Sequence, residues 1–133
     1  MIRWLSPEHK EKVDLAVLIV SWNVRDLLLQ NLEALLQSEG DISAEVIVID
    51  NASQDGTAAA VHERFPQARV IANDRNAGFA AANAQGLAAS CARHVLLLNP
   101  DMRVEKDALA KTVAYLDAHP EAAVVGAKLV SSD

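Results

Sequence analysis

Two carboxylates in this sequence stand directly behind apolar runs. Asp50 closes "EVIVID", and Asp101 follows "VLLL" across Asn99 and Pro100. A carboxylate such as Asp50 can accept the imide N–H of uracil or thymine, because only an acceptor satisfies that group. Asp101 offers hard oxygen to a divalent cation such as Mg²⁺ or Mn²⁺, which could bridge a diphosphate. Trp22, in "SWN", presents a ring that stacks on a base or ribose, or packs half-buried. Arg75 carries a charge for phosphate or for solvent. Gly78 opens an alanine-rich helical run, whose first N–H groups and dipole favour an anion. Each feature also has an ordinary reading. Asn99, Pro100 and Asp101 are all turn formers, for example, and suit a simple strand-to-helix connection.

Several other chemistries are excluded. The five glycines form no G-x-G-x-x-G, and no Gly-Lys-Ser/Thr closes a P-loop, which disfavours a nicotinamide-dependent dehydrogenase and a P-loop NTPase. No serine sits in a G-x-S-x-G elbow. The four histidines are scattered without ligand spacing and read as surface or helix-end residues. The single Cys91 rules out an internal disulfide and a cysteine-only metal site; in its alanine-rich surroundings it reads as a small buried thiol. A net charge of −6 argues against nucleic acid as a partner and against a general anionic membrane surface. The N-terminus lacks the apolar core of a signal peptide, and no apolar run is long enough to span a bilayer. A cytoplasmic setting, free or at the inner face of the membrane, follows.

The elements that must position these residues alternate along the chain. Strands are predicted at 15–21 ("LAVLIVS"), 45–50, 69–72, 95–98 and 123–130, with helices at 25–37, 57–65, 78–92 and 105–118. Leu28, Leu32, Leu35 and Leu36 share one helical face, as do Leu109, Val113 and Leu116. Phe79, Asn83 and Leu87 mark the packed face of the third helix. Asn23 and Asp26 have the spacing of a capping box. Residues 95–98 run without polar alternation, as a strand buried on both faces does. The order β-α-β-α-β-α-β-α-β predicts a Rossmann-like α/β fold, a mostly parallel sheet with helices on both faces, in a single domain of 133 residues. An uncovered sheet edge would favour self-association into a homo-oligomer.

In such a sheet "SWN", "DNAS", "NDRNAGF" and "NPD" all emerge at the carboxyl ends of strands, on one edge, where open α/β sheets bind ligands. Any one of the four is a turn. Together they describe a cleft.

Four stretches, "VLIVSWNVRDLLLQNLEALL", "EVIVIDNASQDGT", "NDRNAGFAAANAQG" and "HVLLLNPDM", resemble in order and spacing the nucleotide-binding half of family 2 glycosyltransferases with the GT-A fold. The likeness is greatest to the rhamnosyltransferase-type branch and spans residues 14–130. It implies an inverting transfer of a sugar from a UDP- or dTDP-sugar to a hydroxyl of a glycan or lipid-linked acceptor, in polysaccharide biosynthesis. It places Ser21, Trp22, Asn23 and Asp50 around the base and ribose, and Asn76, Gly78 and Asn83 along the donor pocket. Asn99 and Asp101 take the place of the family's D-x-D motif, with Asp101 carrying Mn²⁺ or Mg²⁺. Asn99 replaces the first acid of that motif, as in the rhamnosyltransferase-like branch.

The family's acceptor-binding half and catalytic base match nothing within residues 1–133. The resemblance therefore implies a donor-binding portion that is inactive alone, with no catalytic residue assigned. The rival reading is a non-catalytic nucleotide-binding or assembly module. A receiver-like signalling domain with Asp50 as acceptor is weaker, because it wants an acidic pair where "SWN" stands.

Overall fold

The computed structural model describes residues 1–126. Its elements, in chain order, are β1 (Arg3–Trp4), β2 (Val13–Ser21), α1 (Arg25–Leu35), β3 (Ser43–Asp50), α2 (Thr57–Arg64), β4 (Arg69–Ala72), α3 (Phe79–Ala89), β5 (Ala92–Leu97) and α4 (Ala108–Ala118). The two central strands, VDLAVLIVS and SAEVIVID, are rich in β-branched residues and are buried on both faces. That is how strands at the centre of a parallel sheet read. All pairings are parallel, in the order β1-β3-β2-β5, and β4 also pairs with β3. The register aligns Ser21 with Asp50 and Asp50 with Ala72, so three strands end level.

Helices cover both faces, as the alternation requires. On one face Leu28, Leu32, Val61, Leu109 and Val113 from α1, α2 and α4 pack on Val17, Ile19, Val46 and Val48. On the other, Ala82 of α3 packs on Ala16, Leu18, Ile47 and Ile49. Fully burying a leucine or isoleucine contributes about 1.5–3 kcal/mol, so each side of the sheet is held by several such residues.

The structure departs from the sequence expectations at definite points. α3 turns Ala82, Asn83 and Gly86 inward and leaves Phe79 and Leu87 exposed. A Cβ on Gly86 would stand 3.0 Å from the side chains of Ile49 and Leu18, so the helix lies too close to the sheet for large residues between them. β5 alternates rather than being buried on both faces: Val95 and Leu97 are exposed, on the face where α3 packs chiefly on β2 and β3. They open into a hollow of about 500 Å³ bounded partly by Leu87 and Leu116. Cys91, between α3 and β5, is exposed rather than a buried thiol. β1 has no counterpart among the expected strands; two residues are too few for periodicity to register. The strand expected at 123–130 has no strand in its described part, 123–126, and the remainder lies outside the described residues.

Candidate functional site

The carboxyl edge of the sheet is built from loops that hold one another. β2 ends at Ser21, which is fully buried, and the next residue, Trp22, is 56 % exposed. Asn23 follows with φ +53°, a left-handed conformation that asparagine tolerates better than most residues. Its backbone N–H donates to Ser53 Oγ at 2.9 Å, and its Oδ1 accepts the N–H of Gln54 at 2.8 Å. The Ser53 hydroxyl in turn donates to Asp50 Oδ1. Ala52, between them, also has a positive φ, +62°. Neither residue adopts this conformation freely, and the cross-loop bonds hold both there.

Asp55 completes the junction. Its Oδ2 accepts the N–H of Arg25 at 3.0 Å, at the start of α1, while its Oδ1 accepts the N–H and hydroxyl of Thr57, at the start of α2. One carboxylate thus caps two helices, each favoured by the helix dipole. Desolvation raises the Asp55 pKa, but the bonds from Thr57 and from the Arg25 and Thr57 amides outweigh it and hold the group below the ordinary carboxylate value. The capping box expected of Asn23 and Asp26 does not form. The helix N-cap is Val24, with no side-chain cap bond from its own loop, because Asn23 is committed to the loop after β3. A hollow of about 290 Å³ opens here, lined by Asn23, Arg25, Asp26 and Asp55 among others.

The loop after β4 is tied in by amides. Buried Asn51 accepts the Asn73 amide at 2.9 Å and the N–H of Ala77 at 3.3 Å, and donates to the Gly78 carbonyl at 3.3 Å. Asn73 and Gln85 exchange two bonds of 2.8 Å. Asn76 Oδ1 accepts the N–H of Gly78, whose φ of +87° suits glycine alone among common residues. α3 starts there without a side-chain cap, so its first N–H groups are open to an anion. Residues 74–81 are all exposed, Arg75 among them.

The motif after β5 is both a turn and an exposed carboxylate. The N–H of Met102 donates to the Asn99 carbonyl at 3.1 Å, closing the turn. Asn31 of α1 donates its amide to the Pro100 carbonyl between Asn99 and Asp101. Asn99 and Asp101 are exposed, and among the described residues Asp101 has no ion-pair partner. No group of three or more metal-ligating side chains is present among the described residues. One carboxylate and one amide nevertheless fit a cation that takes its other ligands from substrate phosphates and water.

The structure therefore brings Asn23 and Asp50 into one bonded cluster through Ser53 and joins Asn76 and Gly78. Ser21 and Asn83 lie in the packed layer, with Ser21 Oγ and Asn83 Nδ2 lacking hydrogen-bond partners among the described residues. The turn that carries Asn99 and Asp101 is tied instead to α1, through the Pro100 carbonyl. The sequence placed Asn51 and Ser53 in the cleft-forming "DNAS" without a role for either, and Asp55 looked like a turn residue in "NASQDGT". Asn31, inside a helix, offered no signal at all.

The model of glycosyl transferase family 2 matches residues 16–133. Among curated relatives, the succinoglycan biosynthesis protein ExoO of Rhizobium meliloti (strain 1021) is 33 % identical over 116 residues, covering 86 % of this chain and 33 % of the relative. An uncharacterised protein of Mycobacterium tuberculosis (strain ATCC 25618 / H37Rv) is 30 % identical over 115 residues, covering 83 % of this chain and 33 % of its own length. The chain thus spans about a third of the length of these relatives. The same fold occurs in the S. aureus protein TarS (residues 1–349), with a TM-score of 0.71, 21 % identity, and coverage of 80 % of this chain and 33 % of that one. It occurs also in the mannosyltransferase PcManGT of Pyrobaculum calidifontis in complex with GDP-Man and Mn²⁺, with a TM-score of 0.70, 24 % identity, and coverage of 86 % and 34 %.

Proposed function

The chain belongs to glycosyl transferase family 2, and on that premise we propose that it is the donor-binding half of an inverting glycosyltransferase, with a UDP- or dTDP-sugar as donor, rhamnose among the candidates. The observation that carries this reading is the clasp between the loops after β2 and β3. It holds exposed Trp22 one residue beyond Ser21, the register partner of Asp50. The indole offers a stacking face and Asp50 an acceptor for an imide N–H. The open start of α3, reached through Asn76 and Gly78, faces the same edge and suits phosphate. A nucleoside diphosphate sugar is also what two fold neighbours were solved with, UDP-GlcNAc in TarS and GDP-Man in the mannosyltransferase. The acceptor is a hydroxyl on a glycan or lipid-linked glycan, in keeping with the succinoglycan relative.

Asp101, with Asn99 beside it, would hold Mn²⁺ or Mg²⁺ against the diphosphate. When bound, the ion supplies charge stabilisation to the departing diphosphate. The residues of this chain bind and orient the donor: Asp50 fixes the base, Trp22 covers it, and the Asn51 amide holds the loop that starts α3. None of them is assigned the base that deprotonates the acceptor. Among the described residues no helix is long and apolar enough to cross a membrane.

Calorimetric titration with UDP, dTDP and ADP tests the reading. UDP and dTDP should bind, ADP much more weakly, and Asp50→Ala should cost about 1–3 kcal/mol of UDP binding, the range for a charge-assisted hydrogen bond. Equal affinity for ADP and UDP would remove Asp50 from the base site.

A further inference from the structure

We propose that Asn31 of α1 is a positioning residue for the Asn99–Pro100–Asp101 turn, holding it in one conformation so that a divalent cation meets Asp101 on a fixed backbone. The inference rests on the reading of Asp101 as the residue that meets the metal. α1 begins at the carboxyl edge, where Asp55 accepts the N–H of Arg25. Further along the same helix, Asn31 donates its side-chain amide to the Pro100 carbonyl. Asn31 lies one turn from Leu28 and one from Leu35, both buried, and is itself half-buried. A polar group in that place needs a partner, and the turn after β5 supplies it.

The turn depends on that bond. The chain is anchored at Leu98, whose N–H donates to the Leu18 carbonyl at 2.9 Å, and again at Lys106, whose carbonyl accepts the N–H of Glu39 at 2.7 Å. Among the described residues, the Asn31 amide makes the only hydrogen bond from residues 99–104 to the rest of the fold. Within the turn, the N–H of Met102 donates to the Asn99 carbonyl at 3.1 Å. A turn bond of this kind tolerates either orientation of the peptide between its two middle residues. Here that peptide joins Pro100 to Asp101, and Asn31 holds its carbonyl. Because a peptide is planar, fixing the oxygen fixes the whole unit that leads into Asp101. The orientation held also spares Asp101 the positive φ of the flipped turn. The exposed carboxylate is thus carried by a backbone held on both sides, and binding a cation requires less ordering.

The test compares wild type, Asn31→Leu, Asn31→Ala and Asp101→Asn, each as the full chain. Without nucleotide or metal, NMR relaxation should find the Asp101 and Met102 amides rigid in wild type, with order parameters of about 0.85, and mobile in Asn31→Leu, at about 0.6 or less. Amides of β2 and β3 should not change. At saturating UDP, calorimetric titration with Mn²⁺ should require roughly tenfold more Mn²⁺ in Asn31→Leu, as when the outer partner of a metal ligand is lost. UDP affinity without metal should stay as in wild type. Should Asn31→Leu fail to fold, Asn31→Ala carries the same comparison. An unchanged Mn²⁺ requirement overturns the proposal, as do Asp101 and Met102 amides that stay rigid. So does a metal-free UDP affinity that falls as far as the affinity with Mn²⁺, since Asn31 would then be only a brace. Failure of the underlying reading looks different: wild type itself would show no Mn²⁺ dependence, or Asp101→Asn would keep it, and the proposal would fall with it.

Discussion

At the amino end of the sheet, His9 Nε2 lies 2.5 Å from Glu45 Oε2, and Ser90 donates to Glu45 Oε1 at 2.7 Å. Asp14 exchanges two bonds with Ser43, and Arg93 joins Asp14 to Asp117, which also receives His94. At the carboxyl end, Trp22, Asp101, Arg75 and residues 74–81 are turned to solvent, and Asn23, Ala52, Gly56 and Gly78 hold left-handed backbone. The two ends use similar residue types for opposite purposes. Polar groups at the amino end mostly satisfy one another, although His9 Nδ1 has no partner among the described residues. Those at the carboxyl end satisfy the loops and leave outward atoms over. An end whose charges are matched internally gives stability, whereas strained loops and open acceptors at the other end are the features on which the proposed donor site rests.

This contrast breaks most visibly at Glu45. Both it and His9 are nearly buried, with side chains 9 % and 10 % exposed, and removing one partner leaves the other unpaired. Glu45→Ala should lower unfolding stability by about 3 kcal/mol, read from denaturant midpoints. Nucleotide affinity of the folded fraction should stay as in wild type. Equal losses in both would mean that the two ends are mechanically one.

Asp101→Asn probes the other end and should behave inversely. Unfolding should change little, because the carboxylate is exposed and makes no ion pair among the described residues. UDP affinity, titrated with and without Mn²⁺, should lose its metal-dependent part, a change of about tenfold or 1.4 kcal/mol. Asn99→Ala should weaken it less, since an amide is a neutral ligand. Metal-independent binding that survives Asp101→Asn would make the motif a turn and nothing more.

The smallest effect belongs to Asp117. Hydrogen bonds from Arg93 and then His94 lower its pKa from 3.8 to about 2. A carboxylate depressed on folding stabilises above its unfolded value and loses that contribution as pH falls through its folded value. Wild type should therefore exceed Asp117→Asn in melting temperature near neutral pH, and the two should converge between about pH 4 and pH 2. A difference that persists undiminished at pH 2 would mean that packing, and not charge, sets the role of Asp117.

How far the sequence alone reaches can be judged from particular residues. The central strands were legible because β2 and β3 are continuous apolar runs ended by turn formers. The fold class followed from their alternation with α1, α2, α3 and α4. Trp22, Asp50, Asn76, Gly78, Asn99 and Asp101 were traceable to one edge for the same reason, since parallel strands send their ends the same way.

Tertiary structure decided what each of these residues touches. Gly86 presses α3 so close to Leu18 and Ile49 that the small residues, not Phe79 and Leu87, face the sheet. Val95 and Leu97 of β5 stay exposed among the described residues, while α3 lies across β2 and β3. Asn23 left its expected cap for Gln54, and Asp55 crossed between loops to cap α1 in its place. Periodicity reports only which face of one element is apolar. Hydrogen bonds between residues about 30 positions apart depend on where two loops meet, and that position is set by the register of β2 on β3.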